Sequence, residues 1–257
     1  MKTQSIKQGL LITALILLAG PVLAVEKSAA LDWNQRLELS TPVSGVVSQV
    51  LVKAGQRVKK NQTLIKLDHR GFNAQLKKAK AILSRGRENY TEAKLELERA
   101  DELFERTAIS VHDRQLVKIE YTKAQAELFE AEAGLTQARL DLEYSVIRSP
   151  LEAMVVQVYA HDQQTVVNRF QANPLLVIAD VNHMLARTAV NVSELREVKA
   201  GAEVKVKVGS QVFTGKVSSV GMEPKDDEQG GLYLLEVTFN PEGKLFRKGQ
   251  AATIILP

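Results

Sequence analysis

Residues 72–104 read FNAQLKKAKAILSRGRENYTEAKLELERADELF, and the spacing of their apolar side chains sets the reading of everything around them. Phe72, Leu76, Ala79, Leu83, Gly86, Tyr90, Ala93, Leu97, Ala100 and Phe104 recur at alternating steps of four and three, which is the heptad seam of a coiled coil. A second run, Val117, Tyr121, Ala124, Leu128, Ala131, Leu135, Ala138, Leu142 and Ser145, has the same spacing. Laid antiparallel in one register centred on Ala108-Ile109, the runs match by size: Leu76 faces Leu142, Ala79 faces Ala138, Leu83 faces Leu135, Gly86 faces Ala131, and Ala93 faces Ala124. The periodicity breaks over Thr107 to Ser110, so the sequence predicts a helical hairpin turning there. A helix from Phe72 to Phe104 is about 50 Å long. Its charged outer faces, taken alone, are only solvated surface.

The segments on either side of this hairpin repeat each other. Thr41 to Val58 aligns with Ser149 to Val166, with identities at Pro42/Pro150, Val47/Val155, Gln49/Gln157, Val50/Val158, Gln56/Gln164 and Val58/Val166. The copies close alike, on Leu64-Ile-Lys-Leu-Asp68 and Leu176-Val-Ile-Ala-Asp180. Short Val, Ile and Leu runs punctuated by Gly45, Gly55 and Asn61 predict strands with tight turns. Gly55 and Asn61 suit a positive φ. In the second copy Ala153 and Gln163 replace the expected glycines, which weakens the turn signal there.

After Asp180 the pattern becomes alternating strands over Met184–Asn191, Glu203–Val208, Gln211–Val220, Leu232–Phe239 and Gln250–Leu256. Turns are expected at Gly209-Ser210, Asp226–Gly231 and Asn240–Gly243, and one short helix over Ser193–Val198 with Ser193 as its cap. Five strands and a helix predict a small antiparallel β-barrel, with residues 29–39 offering a sixth strand. At the other end, Lys2 and Lys7 precede the uncharged run Gly9–Ala19 and the small-residue stretch Gly20-Pro21-Val22-Leu23-Ala24. That is the pattern of a signal peptide cut after Ala24, leaving Val25 as the mature N-terminus in a periplasm-like compartment.

Composition excludes several classes of function. The 257 residues contain no cysteine, so there is no disulfide, thiolate metal site, cysteine nucleophile or lipidated cysteine. A net charge of +4 with 5% aromatic residues provides neither the basic face nor the stacking platforms that nucleic acid needs. His69, His112, His161 and His183 are scattered without metal-ligand spacing, and no phosphate loop or nucleophile elbow occurs. Asp68-His69 reads as a strand-end acid beside an exposed histidine. Met154, Met184 and Met222 would hold a soft metal only if they converged, and single methionines in strands are ordinarily core. No enzyme, metal or cofactor is expected.

The duplicated half-units resemble a biotinyl/lipoyl-type sandwich, but the turn that would bear a carrier lysine is replaced by the hairpin, so no covalent biotin or lipoate is expected. The full order resembles the periplasmic adaptors, or membrane fusion proteins, of the HlyD-type superfamily that serve resistance-nodulation-division (RND) tripartite efflux pumps. The expected fold is mixed α+β, elongated and multidomain. Its parts are a signal peptide at 1–24, an N-terminal segment at 25–39, lipoyl-like half 1 at 40–70, the α-helical hairpin at 71–145, lipoyl-like half 2 at 146–181 and a β-barrel at 182–257. The membrane-proximal domain that many of these adaptors have is expected to be missing.

At the hairpin tip the family carries an Arg, a Leu four residues on and a Ser seven beyond that. Here these are Arg99, Leu103 and Ser110. The resemblance implies that they contact a TolC-type outer-membrane exit duct, that barrel and sandwich engage an inner-membrane transporter, and that copies assemble into a ring. From position alone the three are a solvated charge, a residue beside the seam and a turn or cap. An ABC-type exporter as partner, or a cell-envelope scaffold without transport, are the alternatives.

Overall fold

The computed structural model describes residues 25–168, 173–195, 198–224 and 231–256. The leader at 1–24 and most of the Asp226–Gly231 turn lie outside them. The strands are β1 (Val25–Trp33), β2 (Arg36–Leu39), β3 (Gly45–Val50), β4 (Arg57–Val58), β5 (Thr63–Leu67), β6 (Val146–Arg148), β7 (Ala153–Val158), β8 (Thr165–Val166), β9 (Leu176–Asp180), β10 (Met184–Val190), β11 (Glu203–Val208), β12 (Gln211–Pro224), β13 (Tyr233–Phe239) and β14 (Ala251–Leu256). The helices are α1 (His69–Glu105), α2 (Val111–Tyr144) and α3 (Val192–Leu195). They fall into two compact units.

One unit centres on a closed barrel ordered β1-β10-β13-β12-β11-β14. Closure leaves no unpaired strand edge. Alternation drives it: Val204, Val206 and Val208 of β11, Leu235 and Val237 of β13, and Ile254 and Leu256 of β14 are buried, while Glu203, Lys205 and Lys207 between them are exposed. β11 and β12 join through a two-residue turn, Val208 pairing with Gln211 and Gly209 taking φ +61°. β12 runs on to Pro224, past the expected end at Val220.

Two expectations need correction here. The short helix is the single turn Val192–Leu195, and Asn191, not Ser193, caps it: Asn191 Oδ1 accepts from Glu194 N at 3.0 Å while Asn191 N donates to Glu194 Oε2 at 3.1 Å. That reciprocal pair is a capping box, and Ser193 only donates its hydroxyl to Asn191 Oδ1. Residues 29–39 are likewise not one strand. A bend at Asn34-Gln35 leaves β1 in the barrel and sends β2 to a different sheet.

The other unit contains the sandwich, with sheets ordered β2-β9-β7-β4 and β6-β5-β3-β8. The repeat is visible atom by atom. β3 and β7 occupy equivalent positions, and each breaks register at the same place, Val47/Gln49 against β5 and Val155/Gln157 against β9. The two-residue strands are exchanged: β4 of the first copy pairs with β7 of the second, and β8 of the second with β3 of the first. Gly55 N donates to Val155 O at 2.7 Å, and its counterpart Gln163 N donates to Val47 O at 2.8 Å. Gln163 adopts φ +66° where Gly55 has +83°, so the turn survives loss of the glycine. Asn61 is left-handed too, at +65°. Val47, Val58, Leu64, Ile65, Val155, Leu176 and Ile178 form the core.

The hairpin leaves this sandwich between β5 and β6, which are themselves antiparallel neighbours with Lys66 opposite Val146. Asp68 is the N-cap of α1, accepting from Arg70 N at 3.0 Å. His69 is half-buried, not exposed as expected, and its Nδ1 lies 3.0 Å from the fully buried Ser145 Oγ. Since Ser145 Oγ donates to Leu142 O at 2.6 Å, the histidine Nδ1–H is the donor to Ser145. This contact ties the first residue of α1 to the end of α2.

Candidate docking site at the hairpin tip

α1 has 37 residues and α2 has 34, each about 50 Å long at the rise of a helix. All the predicted seam positions are buried or half-buried, and most positions between them are exposed. Leu83, Ala131 and Leu135 form a small core with Leu76, Ala79 and Leu128 around it. One arrangement was not legible from layer pairing: Tyr90 and Tyr121, from the layers either side of Ala93 and Ala124, meet with centroids 5.5 Å apart and hydroxyls 3.1 Å apart. The two alanines leave room for both rings.

The tip is built from two caps. Ala108 N donates to Leu103 O at 2.8 Å and Thr107 N to Phe104 O at 2.9 Å, the paired bonds of a Schellman motif, with Thr107 at φ +57°. α2 then starts from Ser110, whose Oγ accepts from Asp113 N at 3.1 Å while Ser110 N donates to Asp113 Oδ2 at 3.3 Å. Hydrogen bonds from Ser110 hold the Asp113 carboxyl below the usual carboxylate range. Below the turn, Arg114 Nε donates to Asp101 Oδ1 at 2.6 Å and its guanidinium lies 5.0 Å from the Phe104 ring centroid. Extending the antiparallel register by one layer would have paired Phe104 with Arg114.

Arg99 and Leu103 stand one turn apart on α1 and so share a face. Leu103 is 44% exposed, and Arg99 is exposed and paired to Glu96 Oε1 at 2.5 Å, a surface contact of small energetic weight. Ser110 is exposed, but its hydroxyl is engaged as the cap. Near the tip, Val111, Leu116 and Ile119 of α2 are 70%, 49% and 50% exposed; further along, the off-seam Leu140 is half-buried. The methionines differ in setting: Met184 is buried and Met222 is 91% exposed. Among the described residues no group of three or more His, Asp or Glu could hold a metal ion.

Residues 68–145 match the family model of the alpha-helical hairpin domain of RND membrane fusion proteins. Over 240 residues the chain is 28% identical to the macrolide export protein MacA of Escherichia coli O157:H7, covering 86% of this chain and 65% of that protein. It is 25% identical over 166 residues to the antibiotic efflux pump periplasmic linker protein ArpA of Pseudomonas putida, covering 65% of this chain and 41% of that one. The chain therefore spans about two thirds or less of the length of these curated relatives.

Among solved structures, the fold is shared with the membrane fusion protein Spr0693 of Streptococcus pneumoniae R6, at TM-score 0.70 and 18% identity over 91% of this chain and 98% of that one. It is also shared with a MacA–MexA chimera carrying the Pseudomonas aeruginosa MexA α-hairpin, at TM-score 0.66 and 22% identity over 91% and 78%. The likeness of fold thus extends through sandwich and barrel as well as hairpin. Among the described residues no helix is long and apolar enough to cross a membrane.

Proposed function

We propose that this chain is a periplasmic adaptor that couples an inner-membrane efflux transporter of the RND type to a TolC-type outer-membrane exit duct. The hairpin tip docks the duct through Arg99, Leu103 and Ser110, and barrel and sandwich dock the transporter. The observation that carries this reading is the pairing of a hairpin of the RND membrane fusion type with Arg99 and Leu103 exposed on one face at its end. The chain performs no chemistry on the cargo in this role and needs no cofactor.

Side-by-side copies in a ring belong to the same reading. Residues 69–87 of α1 hold six basic and no acidic side chains, whereas residues 128–144 of α2 hold four acidic and one basic. Two copies lying alongside with tips aligned would set one charge against the other. Exposed Ile82, Leu95 and Phe129 would be covered by such neighbours.

The test is dye or drug export in cells lacking the native gene, complemented with the parent or with Arg99→Asp. A parent that restores export and crosslinks to the duct from position 103, against an Arg99→Asp chain that folds but does neither, supports the reading. Full export by Arg99→Asp removes the tip as the docking site. The wider match is to a macrolide export protein, so an ABC-type exporter is the second reading of the inner-membrane partner; co-purification of either transporter class with the parent decides between them.

A further inference from the structure

Four residues other than glycine are left-handed among the described residues: Asn61, Thr107, Gln163 and Glu242. Asparagine adopts this region readily, and unbranched side chains tolerate it better than a β-branched one, for which φ near +57° is an outlier. Three of the four lie away from helix ends. Asn61 N donates to Ser149 O at 2.7 Å and Gln163 N to Val47 O at 2.8 Å, each knitting one sandwich copy to the other. Glu242 N is held by Asn240 Oδ1 at 2.8 Å. The fourth, Thr107, is set by the Schellman turn that closes α1, a place that glycine ordinarily takes. Its N–H bonds only to Phe104 O at the helix end, a bond that glycine, the usual residue at this place in a Schellman motif, would form equally well.

The side chain gains nothing inside the chain either. Thr107 is exposed, and its hydroxyl has no hydrogen-bond partner among the described residues, whereas Thr91, Thr122 and Thr136 on the same hairpin each donate to a carbonyl four residues back. The residue lies in the turn, directly before Ala108, whose N–H is bonded to Leu103 O, and three positions before the cap Ser110. A β-branched residue held where glycine ordinarily sits, with its hydroxyl unused inside the chain and at the end of a candidate docking surface, points to a side chain kept for a contact outside the chain.

We propose that Thr107 is a fourth docking residue of the tip, its hydroxyl presented by the left-handed backbone to hydrogen-bond a polar group at the helical end of the exit duct. This rests on the adaptor reading above.

The experiment measures melting of the full mature chain by circular dichroism at 222 nm and its affinity for a purified TolC-type exit duct, for the parent, Thr107→Gly, Thr107→Ser and Arg99→Asp. Thr107→Gly relieves the strain and removes the contact, so its melting temperature rises by about 2–4 °C while duct affinity falls about fivefold, the worth of one ordinary hydrogen bond. Thr107→Ser keeps the hydroxyl and binds within about twofold of the parent. A merely structural residue cannot give higher stability together with weaker binding. Duct affinity unchanged in Thr107→Gly, a lower melting temperature in that variant, or Thr107→Ser binding as weakly as Thr107→Gly each overturns the proposal. If Arg99→Asp weakens binding while Thr107→Gly does not, the adaptor reading stands and this inference falls; if the parent itself does not bind the duct, both fall.

Discussion

Ser110, the side chain proposed to meet the duct, is also the N-cap of α2. Ser110→Ala removes the capping box with Asp113 and is expected to cost about 1 kcal/mol, read as a lower melting temperature at 222 nm. A docking role for Ser110 is therefore best tested with Ser110→Asp, which can still cap the helix but presents a charge to the partner; unaltered export by that variant would assign Ser110 to the fold alone. At the opposite end of the hairpin, Asp68 is held down to about 2, from an ordinary 3.8, chiefly by its hydrogen bonds from the Arg70 side chain and backbone. A carboxyl with a depressed folded-state value contributes stability above its unfolded value, and that contribution is lost as pH falls through the folded one. The base of α1 should thus weaken between about pH 4 and pH 2, and Asp68→Asn, which lacks the charge throughout, should flatten that part of an acid titration followed by helical ellipticity. Equal acid profiles for parent and variant would show that the cap is not what titrates.

Within the hairpin, the size-matched layers make opposite predictions for two small residues. A Cβ at Gly86 would meet Leu128 Cα at 3.6 Å and Ala131 Cβ at 3.7 Å, ordinary contact distances, so Gly86→Ala should fit and stabilise the hairpin by about 1 kcal/mol through helix propensity. Ala79 lies beside the small core of Leu83, Ala131 and Leu135 in a layer whose opposite member is the small Ala138. Ala79→Leu should cost roughly 1 to 3 kcal/mol through overpacking. Chemical denaturation of both variants checks the pair, and a stabilised Ala79→Leu would mean that the layers are looser than their sizes indicate. The Tyr90–Tyr121 contact shows the limit of reasoning by layers: each tyrosine is a seam position, but long side chains reach diagonally across a small layer, and step counting along one helix does not register that.

At the scale of the molecule, β5 and β6 already pair beneath the hairpin, with Leu67 N donating to Ser145 O at 2.8 Å. Replacing residues 69–144 by a short Gly-Asn turn should leave the sandwich folded, with its strand signal retained and export abolished; loss of the strand signal would show that the hairpin is needed to close the sandwich. Cutting between the two repeats should be far more damaging, because β4 and β8 are exchanged and neither copy completes a sheet alone. Much of this fold was legible in the chain. The steps of four and three determined the hairpin and its register, since a helical seam is a local, periodic property, and the internal repeat pointed to two equivalent strand sets for the same reason. Arg99 and Leu103 were named through the family resemblance at the tip, to which helical spacing adds only that the two share one face. Other features depended on distant partners. Leu31, Trp33, Leu37 and Leu39 alternate in one phase, so nothing local marks the bend that parts β1 from β2; only pairing with β14 and with β9 separates them. Gln163 could enter a glycine's conformation because the backbone bond to Val47 holds it there, and the strain at Thr107 follows from closing two long helices into one turn. Periodicity is written along the chain, whereas strand exchange, cross-layer contacts and held backbone strain come into being only when residues far apart in sequence meet.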